Sequence, residues 1–353
     1  MGNVLVILGA GASYDCVWRS EVGIDKKWRP PLADQLFSDE YLETRRKYAS
    51  VASLAQQLNA ELRLPGRDEN FEVLLARLAA NPTRQRRMQF REVPAYLRDL
   101  LGHVSRAYTT EAPSCYTRLF GQLLDAGVGK VAFVTLNYDT LLERAIAEAD
   151  GEPFSMDWYT QHDEWMVIKL HGSVNWGRRI VQYPKEIRWG PGMRNVSAGP
   201  DVYLELLRNI DDLEECTSDV VEIMLGNPET NWMRNEPYYP VLAVPVENKL
   251  QPVCPQAHLE ALGSFLPLCT DVLAIGVSWR DKDLIDILNE GLPDNANFLY
   301  VGWDDEYEEC LDRFRAAVPH VPAARPTDFS PANGFSDFIE GGALAKFISR
   351  ARS

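Results

Sequence analysis

The sequence predicts an α/β fold: a parallel sheet flanked by helices, with a helical subdomain inserted after the first strand. Two observations carry this. Short apolar runs rich in β-branched residues recur along the chain, each ending in a glycine or polar turn and most leading into a helix. Between the first run and the second, residues 32–110 lose that pattern and show apolar residues at helical spacing.

The first run is Val4-Leu5-Val6-Ile7-Leu8, followed by Gly9-Ala10-Gly11-Ala12-Ser13. An unbroken apolar run suits a strand buried on both faces, as in a parallel sheet. A glycine-rich turn at its carboxyl end is where α/β folds meet a phosphate-bearing ligand. Small residues let backbone N–H groups approach a pyrophosphate, and the start of a helix favours the anion. The turn departs from the dinucleotide fingerprint at Tyr14, where Gly or Ala is expected, and no Gly-Lys-Ser/Thr follows. A tight packing turn is the alternative.

In the helical region, Leu36, Phe37, Tyr41 and Leu42, then Val51, Leu54, Leu58 and Leu62, then Phe71, Leu74, Leu75 and Leu78 mark short helices. Asn81-Pro82-Thr83 breaks the pattern. A further helix carries Val93, Tyr96, Leu97, Leu100 and Leu101, with Pro94 expected in its first turn. The basic clusters Arg45-Arg46-Lys47 and Arg84-Gln85-Arg86-Arg87 read as solvated helix faces.

The α/β pattern then returns. A helix over Tyr116–Leu124 precedes a strand, Val131–Leu136, which leads through Asn137-Tyr138-Asp139 into a helix, Thr140–Glu148. The strand Trp165–Leu170 ends in His171-Gly172-Ser173. Residues 177–239 read as an irregular insertion. Asp271–Ile275 leads through Gly276-Val277-Ser278 into the helix Lys282–Asn289, and Asn297–Val301 leads through Gly302-Trp303-Asp304 into the helix Glu306–Ala317. Five strands thus end in turns that line up along the carboxyl edge of an open sheet, where ligands bind.

Composition narrows the function. With 36 basic and 51 acidic residues the net charge is −15, which gives no general attraction to nucleic acid or anionic lipid. The six cysteines hold no Cys-x-x-Cys pair and the five histidines no HExxH pair, so no metal is expected. Neither a signal peptide nor a run of about 18 apolar residues is evident, which predicts a soluble, cytoplasmic chain.

Four turns hold residues able to do chemistry. Asn137 can orient a water or a sugar hydroxyl and Asp139 can support it, or the two can simply cap the next helix. His171, at a strand end beside Gly172, is placed to act as a general base, or is a satisfied structural histidine. Gly276 and Ser278 permit close ligand approach and a hydroxyl contact; alone they read as a packing turn.

Taken together, Gly9-Ala10-Gly11-Ala12-Ser13, Thr135-Leu136-Asn137-Tyr138-Asp139, Leu170-His171-Gly172-Ser173 and Ile275-Gly276-Val277-Ser278, in that order, resemble the sirtuin-like superfamily. The sequence looks closest to bacterial sirtuin-like NADase domains of antiphage defence, to which Asn70-Phe71-Glu72-Val73-Leu74-Leu75 is also similar. The resemblance implies a Rossmann-like fold and one NAD-binding catalytic domain over 1–353. It implies that Gly9, Ala10, Gly11 and Ser13 hold the phosphates of NAD, that Gly276 and Ser278 meet its adenosine half, and that Asn137, Asp139 and His171 are catalytic.

Departures from the family's deacetylases matter. The cysteines offer no zinc module, Leu136 stands where they have Gln, and Gly23-Ile24-Asp25 only echoes their next motif. Acyl-lysine recognition is therefore not expected. What the resemblance implies is an NAD⁺ glycohydrolase that releases nicotinamide and ADP-ribose, with NAD⁺ as substrate. The alternatives are an ADP-ribosyltransferase and a non-catalytic NAD or ADP-ribose sensor. Such an effector needs gating, which the resemblance assigns to a homo-oligomer or to a separate DNA-translocase-type ATPase. No direct nucleic-acid or membrane partner is expected. Trp232, Tyr238 and Tyr239 could cover a nicotinamide or be ordinary core.

Overall fold

The computed structural model describes residues 2–16, 29–62, 71–80, 83–107, 114–151, 153, 155–182, 200–210, 212–224, 237–244, 253–322 and 334–351. Among these, the strands in chain order are β1 (Asn3–Leu8), β2 (Val131–Thr135), β3 (Trp165–Lys169), β4 (Gly172–Ile180), β5 (Thr217–Ile223), β6 (Tyr238–Leu242), β7 (Cys269–Ile275) and β8 (Asn297–Val301). The helices are α1 (Ala10–Tyr14), α2 (Leu42–Arg46), α3 (Ala49–Leu62), α4 (Phe71–Ala79), α5 (Arg84–Ala107), α6 (Cys115–Asp125), α7 (Leu141–Asp150), α8 (Pro200–Asn209), α9 (Leu213–Cys216), α10 (Gln256–Phe265), α11 (Lys282–Gly291), α12 (Asp304–Ala317), α13 (Gly334–Glu340) and α14 (Ala343–Ala351).

The chain forms two units. One comprises Met1–Leu32, Ala107–His171 and Cys254–Ser353; the other comprises Ala33–Arg106 and Gly172–Val253. The first is a parallel, Rossmann-like α/β layer with strand order β3-β2-β1-β7-β8. β1 is central because both its neighbours pair with it in register: Val4 lies opposite Val131 on one side and Asp271 on the other. Its five apolar residues are fully buried, so side chains on both faces leave water. One face (Leu5, Ile7, Ala132, Val134, Met166, Ile168, Val272, Ala274) packs with Phe265 of α10, Leu284 and Leu288 of α11 and Phe314 of α12. On the other face Phe120 of α6 meets Phe133 and Trp165, with ring centroids 6.0 Å apart in each case. Chain order crosses from β3 to β7 on the far side of β1, so the topological switch lies at the carboxyl ends of β1 and β7, where such sheets bind ligands.

The second unit joins the helices α2–α5 to the antiparallel sheet β5-β4-β6. Arg91 of α5 donates to the Leu207 carbonyl at 3.1 Å, and the Tyr239 hydroxyl donates to the Arg91 carbonyl at 3.1 Å. Arg208 pairs with buried Glu92 at 2.9 Å. Residues 177–239, expected to be irregular, supply strands and helices to this unit; their alternation is masked by charges such as Glu222, which pairs with Arg179 at 2.8 Å. Tyr238 donates to Glu222 at 2.9 Å, so both tyrosines serve this unit's own packing. Trp232, Asn70 and Gly23-Ile24-Asp25 lie outside the described residues.

Two local expectations are corrected here. Pro94 sits inside α5 rather than in its first turn. The helix starts ten residues earlier, where the Thr83 hydroxyl accepts from the Arg86 N–H at 3.2 Å, and burial of Phe90, Val93, Tyr96 and Leu97 carries it through the proline. The basic clusters are not wholly solvated. Arg45 is buried and donates to the carbonyls of Phe37 and Ser38 and to Asp39, while buried Arg86 donates to Gln89 and Gln57 at 2.8 Å each. Both guanidiniums satisfy groups that the apolar pattern leaves unpaired.

Candidate active site

The predicted site residues all lie at the carboxyl ends of the parallel strands, with Ala10, Gly11 and Ser13 in the short helix α1 and the others in turns. The turn after β1 and the turn after β7 lie against each other. Gly9 N–H donates to the Ile275 carbonyl at 3.0 Å and Gly11 N–H to the Gly276 carbonyl at 3.3 Å. A Cβ on Gly9 would sit 2.2 Å from the Gly276 oxygen, and one on Gly276 would sit 2.4 Å from the Ala12 nitrogen. Gly276 also has a φ of +60°. The glycines are thus demanded by backbone meeting backbone. With Ala12 N–H bonded to the Gly9 carbonyl, the amides of Gly9, Gly11 and Ala12 are all engaged within the protein. Ala10 is half-buried and Ser278 exposed; the Ser278 carbonyl accepts from Arg313 at 3.3 Å.

Asn137 joins this assembly from the end of β2. It is 8% exposed, and its Nδ2 donates to the Gly9 carbonyl at 2.8 Å and to Ser13 Oγ at 2.9 Å. Ser13 Oγ lies 2.9 Å from the Tyr116 hydroxyl. Burial, and after it the charge of Asp139, pushes the Tyr116 hydroxyl well above the ordinary phenol range, so it stays a neutral partner. Burial does the same to the Cys16 thiol, with Asp139 next in effect, which removes it as a nucleophile. Asp139 is buried. Its Oδ1 accepts from the Leu141 N–H at 3.1 Å at the start of α7, and its carbonyl accepts from Lys169, whose ammonium also meets Glu143 at 2.7 Å.

His171 follows β3. Because β2 and β3 are neighbours, with Leu170 N–H donating to the Thr135 carbonyl at 3.1 Å, the turn of Asn137 and the turn of His171 stand side by side. The rings of Tyr138 and His171 are 5.9 Å apart. His171 Nε2 lies 2.8 Å from Asp281 Oδ2, with side-chain exposures of 15% and 16%. Asp281 is the residue that sequence reasoning missed. Its signal was its place before the apolar run of α11: its Oδ1 accepts from the Leu284 N–H at 2.8 Å as an N-cap. The structure therefore brings Asn137, Ser13 and Gly9 together, Gly11 with Gly276, and His171 with Asp281. It turns Asp139 toward its own helix. Among the described residues, no helix is long and apolar enough to cross a membrane and no group of three His, Cys, Asp or Glu could hold a metal ion.

Residues 131–188 match the family model of the SIR2-like domain. Over this segment the chain is similar to SIR2-like domains. The matched segment contains Asn137, Asp139 and His171. Solved structures similar to the whole chain include an ADP-ribose complex of a Sir2-homologue mutant, 14% identical over 99% of this chain and 93% of that one, with a TM-score of 0.39. A Sir2-homologue mutant with 2'-O-acetyl ADP-ribose has 14% identity over the same shares and a TM-score of 0.43. An NAD complex of a Sir2 homologue has 13% identity over 99% and 91%, with a TM-score of 0.39. No relative among curated proteins matches the chain.

Proposed function

We propose that this chain is an NAD⁺ glycohydrolase that cleaves NAD⁺ to nicotinamide and ADP-ribose. The observation that carries the reading is the placement of Asn137 and His171 in adjacent turns of neighbouring β2 and β3, within the segment that matches the SIR2-like domain. The bond between nicotinamide and ribose breaks with its electron pair going to the pyridinium nitrogen, which leaves as neutral nicotinamide. The sugar passes through an oxocarbenium-like state, and the protein's task is to position a water and accept its proton. Asn137 orients the water and ribose hydroxyls, His171 takes the proton, and Asp139 holds the Asn137 turn in place. The phosphates lie along Gly9, Ala10, Gly11 and Ser13, and the adenosine half lies at Gly276 and Ser278.

Unchecked hydrolysis of NAD⁺ is lethal to a cytoplasm, so the activity is gated. We place the chain as an NAD-depleting antiphage effector controlled by homo-oligomerisation or by a separate ATPase of the DNA-translocase type.

The test is NAD⁺ consumption by the purified chain, with chromatographic detection of nicotinamide and ADP-ribose, beside Asn137→Ala and His171→Ala. Turnover in the wild type that disappears in both variants is expected. Label transferred from NAD⁺ to macromolecule would make it a transferase instead. Tight NAD⁺ binding without turnover, unchanged by concentration or by neighbouring proteins, would make it a sensor.

A further inference from the structure

Asp281 lies beyond the turn that follows β7, yet its carboxylate reaches the ring that follows β3. We propose that Asp281 is a positioning residue that fixes the tautomer of His171, so that Nε2 carries the hydrogen and Nδ1 is the nitrogen that accepts a proton in the reaction. The chemistry rests on the glycohydrolase reading; the tautomer rests on geometry.

A carboxylate only accepts hydrogen bonds, so the 2.8 Å contact to Oδ2 places the hydrogen on Nε2. The other carboxylate oxygen accepts from the Leu284 N–H, also at 2.8 Å. Held at both oxygens, the group has little freedom to rotate, and α11 and the imidazole share one anchor. The chain between Ser278 and Asp281 is itself held. Trp279 takes the left-handed conformation, with φ of 57°, which a bulky residue adopts only when its surroundings enforce it. Its indole is 4% exposed and packs on Phe314 and Phe298 at 4.7 and 5.7 Å, and those two rings stack at 3.6 Å. This buried aromatic anchor turns the chain so that Asp281 faces His171.

In the reaction, the glycosidic C–N bond breaks and its electron pair leaves with nicotinamide. A water oxygen bonds to the anomeric carbon, and the water's proton passes to Nδ1 of His171. The imidazolium so formed keeps its Nε2 hydrogen on Asp281, whose charge stabilises it without Asp281 being protonated. The proton is then released to solvent, and the products are ADP-ribose, nicotinamide and one proton.

Asp281→Asn is the decisive variant. Asn caps helices as well as Asp does, and its Oδ1 stays with the Leu284 N–H. Its amide NH₂ then faces Nε2 as a donor, which forces the hydrogen onto Nδ1. Asp281→Ala removes the anchor but imposes no tautomer. The experiment is long-range ¹H–¹⁵N correlation on the histidine-labelled full chain, with His171 assigned from the His171→Ala spectrum, alongside kcat and KM for NAD⁺. The wild type is expected to show the Nε2–H tautomer and Asp281→Asn the Nδ1–H tautomer. In Asp281→Asn, kcat falls by roughly 10²–10⁴-fold with KM little changed. Asp281→Ala loses less kcat than Asp281→Asn, the reverse of what a purely structural role gives. An Nδ1–H wild type, an unchanged tautomer in Asp281→Asn, or an alanine variant slower than the asparagine variant overturns the proposal. If the spectra come out as expected but the wild type hydrolyses no NAD⁺ under any condition, the tautomer assignment stands and the glycohydrolase reading falls.

Discussion

Replacing Lys169 by Met tests how the sheet carries charge beneath the candidate site. The Lys169 ammonium lies 2.7 Å from Glu143 Oε1, with side chains only 1% and 2% exposed. The Tyr159 hydroxyl donates to the same carboxylate oxygen at 3.3 Å, and Lys169 also donates to the Asp139 carbonyl. Methionine keeps the stem and removes the charge. Glu143 then keeps its buried charge without the Lys169 ammonium, which costs about 3–5 kcal/mol. The lost bond to the Asp139 carbonyl adds on the order of 1 kcal/mol. Together that is a large share of the roughly 5–15 kcal/mol that holds a domain folded. Adding Glu143→Gln removes the stranded carboxylate, so the double variant returns to within about 2 kcal/mol of wild type. At the surface, Arg315→Ala breaks the Arg315–Asp312 pair, whose side chains are 35% and 71% exposed, for less than about 1 kcal/mol. Urea unfolding of the wild type, the two single variants and the double variant, followed by circular dichroism, measures the cycle. A Lys169→Met cost below about 1 kcal/mol, or a double variant no more stable than the single, refutes the reasoning.

Three further outcomes are expected. Gly9→Ala forces a Cβ to within 2.2 Å of the Gly276 oxygen and should lower the melting temperature by several degrees, whereas Gly121→Ala, with nothing within 4 Å and a helical position in α6, should raise it slightly; equal melting of Gly9→Ala and wild type would show that the two turns are not locked. Arg45→Ala should cost about 2–4 kcal/mol by stranding two carbonyls and a core guanidinium site, while Arg46→Ala, 63% exposed, stays within about 0.5 kcal/mol in the same denaturation assay. Burial holds the His258 imidazole below its ordinary range, so the unfolded chain binds a proton that the native chain refuses. Its contribution is therefore complete above about pH 6.5 and is lost as pH falls from there toward the folded value, at up to about 1.4 kcal/mol per unit. His258→Gln should flatten that part of the stability-versus-pH curve, and an unchanged slope would count against it.

The five parallel strands were legible because burial on both faces writes them as unbroken apolar runs, as in Val4–Leu8. Their neighbours were not, since nothing in Asp271–Ile275 says that it pairs with β1. The strands β4 and β5 were missed because partly exposed residues and the pairs they make, Arg179 with Glu222, interrupt the alternation. Pro94 and Arg45 show local rules overruled by burial: one stays helical among apolar neighbours, the other leaves solvent to satisfy carbonyls. Asn137 and His171 are legible as strand-end residues, while Asp281 stands in the sequence only as one polar residue before the helix Lys282–Asn289. Its second partner lies 110 residues away in sequence, and only the folded sheet brings it near.

The glycine turns carry a different lesson for the site. In sequence, Gly9, Gly11 and Gly276 read equally well as a phosphate cradle or as tight packing. In the structure packing alone is a sufficient reason for them, because each would place a Cβ on the other turn's backbone. A glycine variant that abolished activity would therefore not distinguish a lost ligand contact from a broken edge. The polar groups do distinguish them. Asn137, Ser13, His171 and Asp281 spend buried or half-buried hydrogen-bonding capacity at the rim of a sheet that its apolar residues already hold together. Asn137 is the sharpest case, since its amide ties the Gly9 turn while standing beside the turn of His171. A substitution there that spares folding and removes turnover assigns the site to chemistry; one that melts the fold assigns it to the architecture of the edge.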